Sequence, residues 1–563
     1  MEKRSILGKL VLCVIVGAFL VGASAIVLGK EPYQGPEVDP TLPRGGTLRV
    51  SLETKLENLD PQYSGGPNIG VWANIFEGLL YKTVEGEVKP ALAESWEWID
   101  DTHLRFRLRK GVKFHSGNEV TAEDVRRSYA RALDPQSPYQ DIHFTGPWLK
   151  KEVLVEDKYT VVMQLKKPFP QAIDYFADLF SYAILDFAVL EKYGDLKKNP
   201  SGTGPFKFVE WVPGQYVKMQ RFDDYWGGAP PLDYLIFKYI PEPASQILAL
   251  KKGEIDVLRY AAPDMVAMLE KDPNIKVKPY EAARTMGIEI NFRQPIFGAD
   301  RPPSQQPREV TLDLDIPKPE AAMVRKAISL AIDTVSIVRS IVGAAGTPAD
   351  SFLTGSTFAR YTYGFPEYNP EVAKALLKAG GWADTDKDGI VDKDGKPLRL
   401  KLVTDIRRDY RNQDVAVAIK GYLKEVGIDV ELALVERSQY VELVVKKGDF
   451  DLVIMGHPCG PRIPSWLSYG MFYSTGQRYG SWGVMRHWRK DLDLIIDKAA
   501  LTLDREEAAQ WWRILQMKIY DETLSIPLYW TNYITGIRKN VMGFVPHPDE
   551  HYQYRYNNVW VKQ

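Results

Sequence analysis

The sequence predicts an α/β fold with more than one hydrophobic core. The chain has 563 residues, of which 45% are hydrophobic, and this length exceeds what a single core normally supports. Short apolar strands alternate with helices between Leu398 and Met455, an order that is typical of a parallel sheet. The formal net charge of -1 argues against a nucleic-acid-binding surface.

The amino-terminal segment has the features of an export signal. A basic start precedes an apolar run from Leu10 to about Gly29, and Ala23-Ser24-Ala25 supplies the small residues that a signal peptidase requires. We therefore expect a signal peptide over residues 1–25. The run is also long enough to span a bilayer, so an uncleaved anchor to about residue 29 is the alternative. Residues 26–44 are rich in proline and predict an extended linker.

In the first half of the chain, the segment from Pro90 to Pro135 predicts strands followed by a helix. Its apolar residues alternate with arginines over 104–109, which indicates a half-buried strand, and Thr121 with Asp124 has the spacing of a capping box at a helix start. A helix is also expected from Val71 to Leu80. Further strands are predicted at 203–209, 216–220, 235–240 and 255–258, with a helix at 245–251.

The second half has well-marked helix ends. Asp333 is expected to cap one helix, and Asn369 followed by Pro370 begins another that Gly380-Gly381 ends. A crossing strand is expected at 286–292, and a late apolar strand at 526–533 is expected to return to the first half. The remaining predictions are strands at 398–403, 430–435 and 450–455 and helices at 414–426 and 439–446.

Sequence motifs for catalysis are missing. The chain has no glycine-rich phosphate loop, no nucleophile elbow and no paired-histidine zinc helix. His457 and Cys459 lie close in sequence, but a packed loop is a better interpretation than a metal or nucleophile pair. Without the leader, Cys459 is the only cysteine, so no internal disulfide is expected. A secreted hydrolase would need a carboxylate pair or triad that the sequence does not place.

One acidic loop has the pattern of a calcium site. Carboxylates at alternate positions are followed by a glycine that allows a sharp turn, as in an EF-hand. The twelfth position is Gly395 where an EF-hand has a bidentate glutamate, so an acidic hairpin turn is the alternative. The candidate calcium ligands are Asp384, Asp386, Asp388, Ile390 and Asp392.

The tryptophans divide into packing residues and ligand candidates. Flat aromatic faces can stack on sugars or line a peptide cleft. Trp96, Trp98, Trp211 and Trp226 lie in strand or turn patterns and are expected in cores. Trp466, Trp482 and Trp488 lie in or after an irregular loop rich in glycine and proline, and Trp530 ends a predicted strand. These four are ligand candidates, although burial without ligand contact is equally compatible with the sequence.

A set of motifs spread from Gly45 to the carboxyl end resembles extracellular solute-binding protein family 5, whose members bind dipeptides, oligopeptides, nickel complexes and some oligosaccharides. The motifs are GGTLRVSL, LDPQYSGG, IFEGLLY, the Pro90 to Pro135 segment, GTGPFKF, DYWGG, KKGEIDV, VRKAISLAID, GWADTDKDG and GDFDLVIM. The resemblance implies a two-lobed periplasmic-binding-protein fold of type II, the Venus-flytrap fold, with an extra subdomain in the first lobe. The implied parts are a lobe I core of 45–80, 201–285 and 527–563, an extra subdomain of 81–200, and a lobe II of 286–526.

The same resemblance implies a function. Such proteins close on a small-molecule ligand and deliver it to the membrane permease of an ABC importer. We therefore expect a monomeric, non-enzymatic protein that requires no cofactor and binds no nucleic acid. It would lie in the periplasm or outside the cell, with membrane anchoring by the apolar segment as the alternative. A sensor or chaperone with the same clamshell is a further alternative to a transport protein.

The sequence predicts ligand contacts but leaves two ligand classes open. Contacts are expected from Tyr63, Ser64 and Gly65 in one lobe and from the loop between His457 and Trp466 in the other. Peptide binders of the family carry an Asp-Pro pair in this loop that holds the ligand ammonium group, whereas this chain has Ile463-Pro464. The preceding Arg462 would attract a carboxylate or phosphate, stack on a sugar, or remain solvated. Oligopeptide is the family default, with an oligosaccharide or anionic solute as the alternative.

Overall fold

The structure is a computed structural model. It describes residues 37–62, 69–84, 86–134, 149–177, 182–298, 318–354, 359–406, 411–458, 464–474, 489–547 and 555–562. The predicted leader and the linker up to residue 36 lie outside the described residues.

The strands are numbered in chain order. They are β1 (Thr47–Leu52), β2 (Leu80–Lys82), β3 (Val88–Pro90), β4 (Ala93–Asp100), β5 (His103–Leu108), β6 (Leu149–Asp157), β7 (Thr160–Leu165), β8 (Phe206–Val212), β9 (Tyr216–Arg221), β10 (Tyr234–Tyr239), β11 (Val257–Leu258), β12 (Ile275–Ile290), β13 (Gly346–Pro348), β14 (Asp392–Lys393), β15 (Lys396–Pro397), β16 (Arg399–Asp405), β17 (Asp429–Val435), β18 (Leu452–Pro458), β19 (Ser525–Arg538), β20 (Val541–Met542) and β21 (Trp560–Val561).

The helices are numbered in the same way. They are α1 (Ile69–Trp72), α2 (Ala122–Ala132), α3 (Ala172–Phe176), α4 (Phe187–Tyr193), α5 (Pro243–Lys252), α6 (Val266–Glu270), α7 (Pro319–Ala331), α8 (Thr334–Ile337), α9 (Pro370–Ala379), α10 (Asn412–Glu425), α11 (Arg437–Tyr440), α12 (Pro464–Met471), α13 (Lys490–Leu501) and α14 (Arg505–Asp521). Short 3₁₀ turns lie at Pro263–Met265, Pro295–Phe297 and Gly343–Ala345, and π-helical turns at Val338–Val342 and Val441–Lys447.

Within the described ranges, no single helix combines the length and the apolar composition needed to cross a membrane. Taken together, α7 and the segment Thr334–Ala345 meet both criteria, with a bend of 41° between them.

A single large sheet runs through the molecule. Its order is β17-β16-β18-β12-β19-β11-β1-β10-β9-β8, with β13 also paired to β19. The two long strands β12 and β19 pair with each other along most of their length and connect the two halves of the sheet. This confirms the expected crossing strand and the expected return of the late strand to the first half. The parallel pairing of β16 with β17 and β18 was also predicted.

A second, four-stranded antiparallel sheet has the order β4-β5-β7-β6. Helix α2 packs on it and begins at the predicted capping box, where the Asp124 carboxylate accepts a hydrogen bond from the Thr121 backbone N–H at 2.9 Å. We call this sheet with α2 and α3 the small-sheet unit. Its apolar residues belong to the same continuous buried cluster as those of β16 to β18, while β1 and β8 to β11 have a separate cluster.

The expected helix from Val71 to Leu80 is wrong for most of its length. Helix α1 ends at Trp72, and Leu80 begins a strand. Residues 73–79 are buried on every side, and their backbone bonds go to distant segments, for example from Gly204 N to Ile75 O at 2.8 Å. Gly204 fits there because a Cβ atom would lie 2.7 Å from the Asn74 carbonyl oxygen. Tertiary contacts have replaced the local helical bonds.

Three of the predicted motifs and Arg555 converge at one buried carboxylate. Glu77 is fully buried and accepts hydrogen bonds from Thr203 Oγ1 at 2.9 Å and Tyr225 OH at 2.8 Å. It also accepts from Trp226 Nε1 at 2.7 Å and pairs with the buried Arg555 guanidinium at 3.1 Å. Burial raises the pKa of the Tyr225 hydroxyl well above its usual value, so this group remains a donor. The carboxylate thus joins the segment after α1 to the carboxyl end of the chain.

Candidate ligand-binding site

The strand directions of the large sheet create a crevice at its centre. Strands β1, β11 and β12 run one way, because β11 and β12 are each antiparallel to β19. Strands β16 and β18 run the opposite way, since β18 is antiparallel to β12. The carboxyl ends of the two sets therefore point toward each other, which is where open α/β sheets bind ligands.

The pairing register locates this crevice along β12. Strand β11 ends at Leu258, beside Gly536, which pairs with Val277 of β12. Strand β18 ends at Pro458, opposite Arg284. The two sets of carboxyl ends are therefore separated by residues 278–283 of β12, which form the floor of the crevice between them.

His457 lies at this crevice but is used by the protein itself. Its ring is 4% exposed, and Nε2 lies 2.9 Å from Glu289 Oε1. The same oxygen accepts a hydrogen bond from Ser525 Oγ at 2.8 Å. Gly287 makes room for the carboxylate, because a Cβ atom there would lie 2.8 Å from Glu289 Oε1. His457 therefore links the end of β18 to β12 and β19 in this structure.

Trp530, a predicted ligand aromatic, has no open face in this structure. The residue is 5% exposed, and its Nε1 donates to the Ser351 carbonyl oxygen at 3.2 Å. The Arg360 guanidinium lies 4.4 Å from the ring centroid, and Asp350 fixes it at 2.7 and 2.9 Å. The sequence could not reveal this cover, because Arg360 and Trp530 are 170 residues apart.

The remaining predicted contacts are not described in full. Tyr63, Ser64, Gly65, Arg462 and Trp482 lie outside the described residues, and Trp466 is described only as a backbone position in α12.

Sequence analysis missed a cationic and aromatic group on the other side of the crevice. Arg259 directly follows β11, is 1% exposed and donates from Nη2 to the Tyr260 hydroxyl at 3.1 Å. The Tyr260 ring lies 4.7 Å from that of Tyr533, and Tyr533 lies 5.7 Å from Tyr280. A signal was available, since Arg259 and Tyr260 follow a predicted strand at its carboxyl end.

A second arginine crosses the crevice floor. Arg284 of β12 is 5% exposed, and its side chain passes over Gly456, where a Cβ atom would lie 2.4 Å from the arginine Nε. Gly456 immediately precedes His457. With Arg259, two buried guanidinium groups lie around the central strands, which favours negative or hydrogen-bond-accepting groups in a ligand. Arg360 is part-exposed and is paired with Asp350.

The small-sheet unit also reaches the large-sheet half. The Tyr175 hydroxyl of α3 lies 3.5 Å from Ser465 Oγ of α12, and both residues are buried. In the chain, α12 is the next helix after β18. The Tyr469 hydroxyl of the same helix and the Tyr473 hydroxyl just after it donate to the two Asp497 oxygens at 2.7 and 3.0 Å. Burial raises the pKa of Tyr469, which keeps its hydroxyl protonated.

The acidic loop brings three of its carboxylates together. Ligand oxygens of Asp384, Asp386 and Asp388 lie within 4.8 Å of one another, and all three residues are exposed. Asp392 instead accepts hydrogen bonds from the Thr385 hydroxyl and backbone N–H at 2.7 and 2.9 Å, which lower the pKa of its carboxyl group. The carboxylate oxygens of Asp384, Asp386 and Asp388 are therefore ligands that suit a hard cation.

Taken together, the two-sided crevice, the crossing strands and the extra small-sheet unit define a two-lobed binding protein. A profile of the family described as "Bacterial extracellular solute-binding proteins, family 5 Middle" matches residues 87–479. The chain belongs to this family, as its motifs predicted.

Known relatives cover most of the chain. It is 30% identical to the oligopeptide-binding protein AppA of Bacillus subtilis, over 84% of each chain. It is 26% identical to the dipeptide-binding protein of Escherichia coli K12, over 89% of this chain and 92% of that protein.

Solved structures agree with this result. AppA in complex with a nonapeptide superimposes with a TM-score of 0.72 at 27% identity, covering 92% of this chain and 100% of that one. AgaA of A. tumefaciens R10 in complex with agropinic acid has a TM-score of 0.69 at 25% identity, with 92% and 99% covered.

Family membership establishes the class of function. The protein is an extracytoplasmic solute-binding protein that works with an ABC transporter. The family consists of binding proteins and not enzymes, which removes the secreted hydrolase as an alternative, and it generally needs no cofactor.

Proposed function

We propose that the protein captures an oligopeptide in the crevice and delivers it to an ABC importer. The observation that supports this most is the meeting of two sets of strand ends against β12, which provides a ligand surface on each side. AppA, similar over 84% of the chain, is an oligopeptide-binding protein. In this proposal residues 45–80, 201–285 and 527–563 form lobe I, 81–200 the subdomain, and 286–526 lobe II.

The direct ligand contacts in this proposal come from loops on the two sides of the crevice. Tyr63, Ser64 and Gly65 act from lobe I, and Arg462, Trp466 and Trp482 from lobe II. His457 and Trp530 support these loops through their own contacts with Glu289 and Arg360.

An anionic solute is the second candidate, and specific observations favour it. Two buried arginines, Arg259 and Arg284, lie beside the central strands, and Ile463 stands where peptide binders have an aspartate. AgaA, with its bound agropinic acid, is a relative of this kind.

Mass spectrometry of solutes released on denaturation, followed by calorimetry of the stripped and refolded protein, tests the ligand class. We expect binding to a library of peptides of two to nine residues. Binding of acidic opines or of glycans, with no response to any peptide, would replace the oligopeptide by the alternative.

The missing aspartate makes a sharper prediction. If no carboxylate holds the ligand ammonium group, acetylation of the peptide amino terminus should change the dissociation constant by less than about threefold. In a protein with such a carboxylate, the loss would be about 10-fold or more, because a charge-assisted hydrogen bond is removed.

We also propose that the leader is removed after residue 25 and that the protein works in the periplasm or at the outer surface. Intact mass of the protein from the producing cell checks this. A mass that retains residues 1–25 would favour the membrane-anchored alternative.

A structural calcium ion in the acidic loop is a further proposal. Its support is the convergence of Asp384, Asp386 and Asp388 and the left-handed conformation of Gly389, with φ of 89°. Calcium should raise the melting temperature of the wild type but not of Asp386→Asn, with Asp394→Asn as the matched control. Identical melting curves with calcium and with a chelator would leave the acidic hairpin as the correct interpretation.

A further inference from the structure

The contact between the small-sheet unit and lobe II contains buried polar groups whose hydrogen bonds are not made. Tyr175 and Ser465 meet there across 290 positions of sequence. Phe169 and Tyr175 belong to the same continuous apolar cluster as Leu467 and Met471 of α12. We call the contact between these two helices the seam.

Helical spacing places two further polar residues on the faces that meet. Gln171 lies four positions before Tyr175, and Ser468 lies three positions after Ser465. Residues three or four apart share one face of a helix. Gln171 and Ser468 therefore lie on the sides of α3 and α12 that form the seam.

Both residues are buried and lack partners. Gln171 is 7% exposed, Ser468 is fully buried, and in the part of the chain that the structure describes neither the Gln171 amide atoms nor Ser468 Oγ has a hydrogen-bond partner. A buried polar group without a partner destabilises the protein, and such groups are rare in native structures. A partner supplied from outside the chain would remove this cost.

The chemistry of the seam selects the type of partner. A carboxamide offers both donors and an acceptor, which complements the N–H and C=O of a peptide group. The seam residues Tyr175, Ser465, Ser468 and Gln171 are uncharged. The Asp497 carboxylate is already bound by Tyr469 and Tyr473, and Asp174 of α3 is paired with Lys82. An uncharged amide fits this environment better than an ion.

We propose that the seam is a subsite for a peptide group of the ligand, hydrogen-bonded by Gln171 and Ser468. The proposal rests on the proposed function as a peptide binder and names the residues for one part of the ligand. It also gives the small-sheet unit a direct role in binding. In the chain, α12 is the next helix after β18, whose carboxyl end lies at the crevice.

Gln171→Leu distinguishes this role from a structural one. Because no bond within the protein is lost, the stripped variant should be at least as stable as the wild type toward urea. Its affinity for the tightest peptide of the two-to-nine-residue library should fall about 5- to 20-fold, as expected for one or two hydrogen bonds. Ser468→Ala should lower the affinity about 2- to 5-fold.

Gln246→Leu is the matched control. Gln246 is equally buried at 3% exposed, but its Nε2 donates to the Ile240 carbonyl oxygen at 2.6 Å and it lies on α5. This variant should lose stability while its affinity for the peptide stays unchanged. Gln171→Leu should thus change the peptide affinity and not the stability, whereas Gln246→Leu should change the stability and not the affinity.

A series of ester analogues of the same peptide locates the contact. Replacing one backbone N–H by oxygen should weaken binding to the wild type at one position but have no further effect in Gln171→Leu. If Gln171→Leu binds the peptide as tightly as the wild type, or if every ester weakens both proteins equally, the subsite is wrong.

The test remains decisive if the wild type binds no peptide. That result removes the oligopeptide from the proposed function, and the copurifying solute then becomes the probe. A smaller amount of an amide-containing solute in Gln171→Leu supports the subsite. An equal amount, or a smaller amount of a solute without an amide, overturns it.

Discussion

Two groups of buried polar side chains in this protein differ in hydrogen bonding: those around Glu77, and the pair Gln171 and Ser468. Glu77 is fully buried and is bound by four side chains, including the Arg555 cation. Gln171 and Ser468 are also buried, yet within the described residues they have no partners. A completed set of bonds indicates a scaffold that is finished when the chain folds. The incomplete set fits the proposed subsite, where a ligand would supply the missing partners.

The largest expected effect concerns the completed set. Glu77→Leu should lower the free energy of unfolding by about 3–5 kcal/mol, because it leaves the buried Arg555 charge and three donors without a partner. Urea unfolding followed by tryptophan fluorescence measures this. Glu94→Leu, at an exposed position, should change stability by less than about 0.5 kcal/mol. If Glu77→Leu lowers the free energy of unfolding by less than about 1 kcal/mol, the contrast between Glu77 and the pair Gln171 and Ser468 is wrong.

Gly287→Ala tests a second buried carboxylate. The added Cβ atom would lie 2.8 Å from Glu289 Oε1 and would displace it from His457 and Ser525. We expect a loss of about 2 kcal/mol in unfolding free energy. Gly421→Ala is the control, because nothing lies within 4 Å of its Cβ position in α10, and it should stabilise the protein by about 0.5–1 kcal/mol. Equal effects of the two substitutions would contradict the role given to Gly287.

The pH dependence of stability provides a third test near Glu77. Burial lowers the pKa of His115 to about 4, and its Nε2 lies 2.8 Å from the Gly204 carbonyl oxygen. Between pH 6.5 and 4 the unfolded chain binds a proton that the folded protein does not, so stability is lost as the pH falls through this window. Partial exposure of the ring limits the loss to about 1–2 kcal/mol. His115→Asn should show a flatter profile, and an unchanged slope would exclude His115 as its cause.

The smallest expected effect lies at the seam itself. Tyr175→Phe removes only the hydroxyl near Ser465, so the stripped protein should keep its stability to within about 0.5 kcal/mol. The dissociation rate of the library peptide should rise about 2- to 5-fold, since the closed state loses one hydrogen bond. Tyr193→Phe is the matched control at a position that is 51% exposed. A faster release in both variants would show that the seam is not responsible.

Local signals in the sequence predicted much of the secondary structure. Asn369 caps α9 by accepting from Val372 N at 3.1 Å, and Asp333 caps α8 by accepting from Ser336 N at 2.9 Å, as expected. These bonds join residues three positions apart, so the pattern of residue types is sufficient to predict them. The helix expected after Val71 was wrong because its backbone groups bond to distant segments.

The site was predicted less completely than the fold. His457 and Trp530 were expected to contact the ligand, and this stays a prediction. In the structure Glu289 and Arg360 contact them from other parts of the chain. Arg259 and Tyr260 could have been found from the end of β11. Gln171 had no sequence signal, because its proposed role depends on its burial and on the lack of a partner for its amide among the described residues.

The amino-acid sequence by itself determined the family, the order of strands and helices, and the caps that bound the helices. Neighbouring residues control these features, through alternation of apolar side chains and short-range hydrogen bonds. Only the tertiary structure decided which polar side chains are satisfied. Partners such as Tyr175 and Ser465 are separated by 290 positions, and their approach depends on the packing of the whole chain.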